Sequence, residues 1–285
     1  MYRIISILLV ISIVMLASPT VINGYYNAPP LPPSPRYRYR PLIAGLQIAV
    51  PLNETHEVLG SISFPAYWAL PMPFGGYIIF YGIVSVGHIF TEAGNTTAYQ
   101  NTSAYQNNYI GNVMFLTAND GVDASFTPIY VKVCPFNDVS MCLWPPSRLL
   151  PRVWLNHTYG GQNTIYYSFI GRAYESDITE LINNPCLKVG RTTYTTYGTI
   201  VGYMVAGRRD VNGETKTIYV LITTCPSKPG DSGSFLGWFY TSMGVELYGI
   251  VFGVSGGYSL AVFHNITSIW AVEPIICPNP YTCPC

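Results

Sequence analysis

Charge is scarce in this chain. Only 10% of its 285 residues are Asp, Glu, Lys or Arg, and the two signs cancel to a formal net charge of zero. There is no electrostatic footprint for a phosphate backbone, so nucleic acid is not expected as a partner. The one basic cluster, Arg36, Arg38 and Arg40 interleaved with Tyr37 and Tyr39, reads as a solvated linker, with an interaction or processing segment as the alternative. Helical periodicity is missing as well, because no long apolar stripe of helical period stands out. Histidine is limited to four residues, and the cysteine tail Cys277, Cys283 and Cys285 lacks a fourth ligand at a sensible spacing for zinc. No metal or other cofactor is expected. Uninterrupted apolar sequence is also short. Ile4 to Ala17 ends before Pro19 and Asn23, below the roughly 20 residues a membrane span needs.

What remains is a β-forming composition. Hydrophobic residues make up 49% of the chain, Tyr, Val, Ile and Thr are abundant, and Gly and Pro punctuate the sequence at short intervals. This pattern predicts an all-β fold with one sizeable core.

The most informative stretch is Pro229-Gly230-Asp231-Ser232-Gly233-Ser234. Glycines on both sides of a serine let the backbone turn tightly, so that neighbouring N–H groups converge where an oxyanion would form. The same residues also make ordinary turns. Tyr77 to Gly87 is an apolar, β-branched and aromatic run that delivers His88 to a turn. His56, His157 and His264 lie in or beside Asn-x-Thr sites and read as loop residues. A core histidine with a satisfied hydrogen bond is the competing reading of His88. Asp123 stands at the start of the next apolar strand, where a carboxylate needs a partner. It could orient an imidazole or cap a turn. The chain order His88, Asp123, Ser232 is that of chymotrypsin-type triads, unlike that of subtilisins or α/β-hydrolases.

With these residues in place, the chain resembles chymotrypsin-fold (trypsin-like) serine proteases, in the style of secreted bacterial and archaeal α-lytic-type members. Further segments carry the resemblance: Arg40 to Ile48, Val189-Gly190-Arg191-Thr192-Thr193 with Tyr197-Gly198-Thr199-Ile200, Gly249 to Gly257, and Tyr258 to Val262. It covers roughly residues 41–272. Departures are the absence of a cysteine after His88, Ser234 in place of the family's second glycine, and Tyr197 where a cysteine usually stands. The resemblance implies two packed six-stranded Greek-key β-barrels with the active-site cleft between them. It implies a polypeptide substrate, His88, Asp123 and Ser232 as catalytic triad, and an oxyanion hole made by the N–H groups of Gly230 and Ser232. Asp231 would be held by a buried cation, for which Lys188 occupies the matching position. The primary pocket would be lined by Pro226, Ser227, Phe252, Gly253 and Val254. With no acid near its floor, a small or apolar side chain is expected there. Arg40 precedes proline rather than Ile-Val-Gly-Gly, so no trypsin-style activation by a new amino terminus is expected.

Residues 1–24 read as an export signal, with an uncleaved membrane tether as the alternative, and residues 25–40 as a proline-rich linker. The protease domain is assigned to 41–272 and a Cys/Pro-rich tail to 273–285. Asn53, Asn95, Asn101, Asn156 and Asn265 each begin a glycosylation sequon. Seven cysteines in an exported chain suggest disulfides. Cys134 with Cys142 is the natural local pair and Cys186 with Cys225 the second. Cys277, Cys283 and Cys285 are left for a knot or a disulfide-linked oligomer. The expected location is extracellular. The rival reading is an inactive relative that uses the same barrels as a binding or coat component.

Overall fold

The computed structural model describes residues 34–118, 122–143, 148–156, 164–172, 177–211, 214–241, 244–263 and 271–276. All of them fall within one compact unit, residues 29–283. The described structure is nearly all β, as the composition predicts.

The first half builds a ring from β2 (Gln47–Pro51), β3 (Glu57–Ser61), β4 (Phe64–Pro71), β5 (Tyr77–Ser85), β6 (Thr97–Gln100), β7 (Tyr109–Asn112), β8 (Phe115–Thr117) and β9 (Ala124–Cys134). Two of its strands are bent. β3 pairs with β2, and its continuation β4 pairs with β5. The bend residues make the handover: Ile62 N–H donates to Leu46 O (2.7 Å) and Ser63 N–H to Val84 O (2.8 Å). Likewise β7 pairs with β6, and β8 pairs with β9. There Val113 N–H donates to Thr96 O and Met114 N–H to Phe126 O. β2–β6 and β5–β9 ladders complete the circuit. Counting each bent pair as one strand gives a closed ring of six in the order 1-2-3-6-5-4.

The second half repeats that order. β12 (Pro185–Gly190), β13 (Tyr194–Val211), β14 (Glu214–Thr223), β15 (Ser234–Thr241), β16 (Gly244–Ser255) and β17 (Tyr258–Phe263) are joined by antiparallel ladders β12–β13, β13–β14, β14–β17, β17–β16, β16–β15 and β15–β12. This is a second six-stranded ring, again 1-2-3-6-5-4, and closure leaves neither ring an open edge. The fold is thus two Greek-key β-barrels. An added ribbon of β1 (Leu42–Ala44), β10 (Leu149–Asn156) and β11 (Thr164–Arg172) extends the second barrel through a parallel β11–β16 pairing.

Burial explains the closure. Leu46, Ile48, Ile62, Phe64, Tyr81, Val84 and Phe126 are sealed in one core cluster, which runs on through Trp154, Leu187, Val189 and Phe235. Each such large side chain contributes about 1.5–3 kcal/mol on transfer from water. Tyr81 keeps a polar tip inside by donating to Cys142 O at 2.6 Å. Burial pushes its pKa up to about 12.

Both ends of the described chain pack on the first barrel. Residues 34–40 pack on the first barrel rather than forming a free linker: Tyr39 is buried, Gln47 N–H donates to Pro35 O, and Arg38 Nε donates to Asn107 O. At the other end β18 (Val272–Pro274) adds a strand beside β4, and Ile275 N–H donates to Pro65 O. Apolar Val272 and Ile275, both buried, drive that docking. The expected export signal (1–24), residues 25–33 of the expected linker and the tail cysteines Cys277, Cys283 and Cys285 lie outside the described residues.

Candidate active site

β5 and β9 are antiparallel neighbours, paired through Ser85 and Ser125. The end of one strand and the start of the other therefore meet, and this brings His88 and Asp123 together. After β5 the chain turns at Gly87 into the short helix α1 (His88–Ala93). Only glycine fits at 87, because a Cβ there would lie 2.1 Å from Thr117 O. Asp123 Oδ1 accepts from Gly87 N–H at 2.7 Å and His88 N–H at 2.8 Å, while Oδ2 takes the ring hydrogen of His88 Nδ1. One carboxylate thus fixes both the turn and the imidazole. A carboxylate only accepts, so Nδ1 carries the hydrogen and the second ring nitrogen, Nε2, is left as an acceptor. Burial alone would pull the His88 pKa down. The hydrogen bond and charge of Asp123, with Glu92 nearby, outweigh it and set the pKa above the ordinary histidine value.

Ser232 sits in the tight loop before β15. Gly230 and Gly233 both take positive φ, at 91° and 86°. In this loop Asp231 N–H donates to Lys228 O, Gly233 N–H to Val251 O and Ser234 N–H to Asp231 O. The N–H groups of Gly230 and Ser232 have no acceptor among the described residues. Ser61 ties this loop to the first barrel. Its N–H donates to Ser232 O at 2.7 Å and its hydroxyl to Gly230 O at 3.2 Å.

Asp231 turns away from the cleft into a sealed polar nest. Lys188 Nζ lies 2.9 Å from Asp231 Oδ2, and neither side chain is more than 1% exposed. The carboxylate also accepts from Thr192 N–H (2.8 Å), Thr193 N–H (3.1 Å), the Thr193 hydroxyl (2.7 Å) and Lys228 N–H (3.0 Å). Burial would raise the Asp231 pKa, yet the Lys188 charge and these donors hold it below the usual carboxylate range. Burial pulls the Lys188 pKa down in turn, against the charge and hydrogen bond of Asp231.

His88 and Ser232 line one cleft of about 430 Å³, without a hydrogen bond between their side chains. Ser227, Gly253 and Val254 line it too, together with Val58, Lys228 and Val251. Pro226 and Phe252, expected in the pocket, do not line it. Pro226 turns its carbonyl to the hydroxyls of Thr193 and Thr196. Phe252 follows the strand alternation away from Val251 and Gly253, and packs on the hydrophobic core. Sequence reasoning passed over the roles of Ser61, Glu92 and Lys228 in this site. None of the three carries a local motif.

Of the expected disulfides, Cys134–Cys142 is formed, with Cα atoms 5.8 Å apart. The second expected pair, Cys186 with Cys225, is buried with its sulfurs 2.9 Å apart, closer than two separate thiols pack. Among the sequons, Asn53 is exposed, and Asn95 and Asn101 are half-buried. The Asn156 side chain and Asn265 lie outside the described residues.

No family model matches the chain, and no curated protein matches it. Solved structures similar to it include a chymotrypsin from Cellulomonas bogoriensis, with 20% identity over 82% of this chain and 98% of that one, at a TM-score of 0.46. Protease A of Thermobifida fusca is 17% identical over 82% and 98%, with a TM-score of 0.49. A Nocardiopsis protease is 19% identical over 81% and 97%, with a TM-score of 0.47. Functional roles are therefore read from this chain's own residues.

Proposed function

We propose that the protein is a serine endopeptidase exported from the cell. The observation that carries this reading is the double grip of Asp123 on His88, at ring and backbone, in a cleft that also holds Ser232 beside two unused N–H donors. A turn-capping aspartate would need only the backbone bonds. A core histidine would need no open cleft.

In this reading Ser232 Oγ attacks the carbonyl carbon of a peptide bond and passes its proton to His88 Nε2. Asp123 holds the tautomer that makes Nε2 the acceptor, and stabilises the imidazolium without itself being protonated. The N–H groups of Gly230 and Ser232 receive the developing oxyanion, an effect worth about 10²–10³ in rate per donor. His88 then gives the proton to the leaving amine, and water resolves the acyl-enzyme with the same groups. Val251, Gly253, Val254 and Ser227 offer an uncharged wall, which suits a small or apolar side chain beside the scissile bond. The expected export signal and the Cys134–Cys142 bridge suit an oxidising, extracellular setting.

The test is labelling with a fluorophosphonate probe and mass spectrometry. A single adduct on Ser232, lost in Ser232→Ala and in His88→Ala, supports the enzyme. Absence of an adduct on folded protein favours the inactive scaffold.

A further inference from the structure

The Thr192 hydroxyl is an unabsorbed part of this site. It donates to Pro229 O at 2.9 Å. Its lone pair faces Arg191 Nη1 at 3.4 Å, and a guanidinium cannot accept, so the hydroxyl hydrogen is directed to Pro229. Pro229 O belongs to the same planar peptide unit as Gly230 N–H. In a trans peptide the C=O and N–H vectors point in opposite directions. Fixing Pro229 O against the turn that follows β12 therefore fixes Gly230 N–H toward the opposite, cleft side. Gly230, at φ 91°, gives the backbone little resistance of its own to rotation of that peptide. A rotated peptide would put the Pro229 carbonyl where the N–H now points, and would turn a donor site into a repulsive one.

The second unused donor is held in the same way from within the loop. Asp231 O, which shares a peptide with Ser232 N–H, accepts from Ser234 N–H at 2.9 Å and from the Ser234 hydroxyl. Thr192 is itself anchored, since its N–H donates to Asp231 Oδ1 at 2.8 Å. Its hydroxyl also fills the space beside Gly230, where an added Cβ would come within 2.6 Å of Oγ1. The buried Lys188–Asp231 pair thus positions Thr192, and Thr192 positions the Gly230 peptide.

We infer that Thr192 is a positioning residue that aims the Gly230 N–H into the cleft as one donor of the oxyanion hole. The inference rests on the serine endopeptidase reading for its catalytic consequence, but the aiming itself is a property of the resting protein.

The experiment compares Thr192→Val, Thr192→Ala and Thr192→Ser in the full chain, with two readouts. The first is kcat and KM on a peptide anilide carrying valine before the scissile bond, together with the rate of fluorophosphonate labelling. Val and Ala are expected to lower kcat and labelling about 10- to 100-fold, less than outright loss of a donor. KM should change little, and Ser should restore most of the rate. The second is the Gly230 amide ¹H–¹⁵N resonance and its hydrogen exchange, which should move in Val and Ala and stay near wild type in Ser. Should Val fail to fold, Ala removes the same hydroxyl with less bulk. Rates within twofold of wild type and an unmoved Gly230 resonance in a folded Val or Ala variant would overturn the inference. If wild type neither labels nor cleaves, the endopeptidase reading fails. The Gly230 resonance then still decides whether Thr192 aims that peptide.

Discussion

Lys188 and Asp231 meet at 2.9 Å across the root of the serine loop, with no water access to either charge. Removing one partner leaves the other ionised and unpaired in the core, which costs about 3–5 kcal/mol. Lys188→Met is expected to lose that much in denaturant unfolding, and to lose activity because Thr192 and Thr193 share the same carboxylate. The double variant Lys188→Met with Asp231→Asn should recover part of the stability, since no bare charge remains. The acid limb follows from the depressed Asp231 pKa. Its contribution is present above the unfolded carboxylate value and is lost as pH falls through the folded one. Lys188→Met should therefore unfold at a higher pH than wild type on acid titration. Equal acid midpoints would contradict this.

Catalysis by His88 requires the neutral ring, and Asp123 and Glu92 raise its pKa above the ordinary histidine value. The acid limb of kcat/KM should accordingly have its midpoint on the alkaline side of about 6.5. Glu92→Gln removes one of the raising charges without touching the triad, and should move that midpoint down. The sign for stability is opposite. A raised His88 pKa contributes stability below the unfolded value, and loses it as pH rises through the folded one.

Much of this was legible in the sequence, for identifiable reasons. The β-forming composition and the spacing of Gly and Pro gave the all-β class, and the two barrels came through the resemblance. His88, Asp123 and Ser232 stood out because each is a polar residue beside glycine or at the end of an apolar run. Their proximity was not legible, since it depends on the β5–β9 register and on the handover at Ile62 and Ser63. Phe252 was misplaced because strand alternation decides its side, and the register shift near Val251 and Gly253 is invisible in sequence. Lys188 emerged only through resemblance, as nothing local marks a lysine as buried. Thr192 was part of a recognised motif, but its role depends on which face of a peptide its hydroxyl meets.

The cysteines can be sorted by chemistry. Alkylation of the denatured protein without reductant should spare Cys134 and Cys142, and should spare Cys186 and Cys225 as well if their close approach is a bridge. In the native state neither Cys186 nor Cys225 should react, because both are buried. Peptide mapping reads both outcomes. A Cys186–Cys225 cross-link in the unreduced digest would establish the second bridge.

Gly190 tests how tightly the two clamped peptides depend on packing. A Cβ at 190 would lie 2.0 Å from Ser234 Oγ and 2.7 Å from Asp231 Oδ1. The Ser234 hydroxyl donates to Asp231 O, the carbonyl of the peptide that carries Ser232 N–H. Gly190→Ala should therefore cost about 1–3 kcal/mol by overpacking, and should also displace that hydroxyl and turn the Ser232 amide. Adding Ser234→Ala removes the closest clashing atom. The double variant should regain much of the stability of Gly190→Ala while staying slow, because the hydroxyl's hold on Asp231 O is gone. Unfolding curves and kcat measured on the same preparations separate the two effects. Recovery of both together would mean that sterics alone matter, and that the Ser234 hydroxyl does not aim the amide.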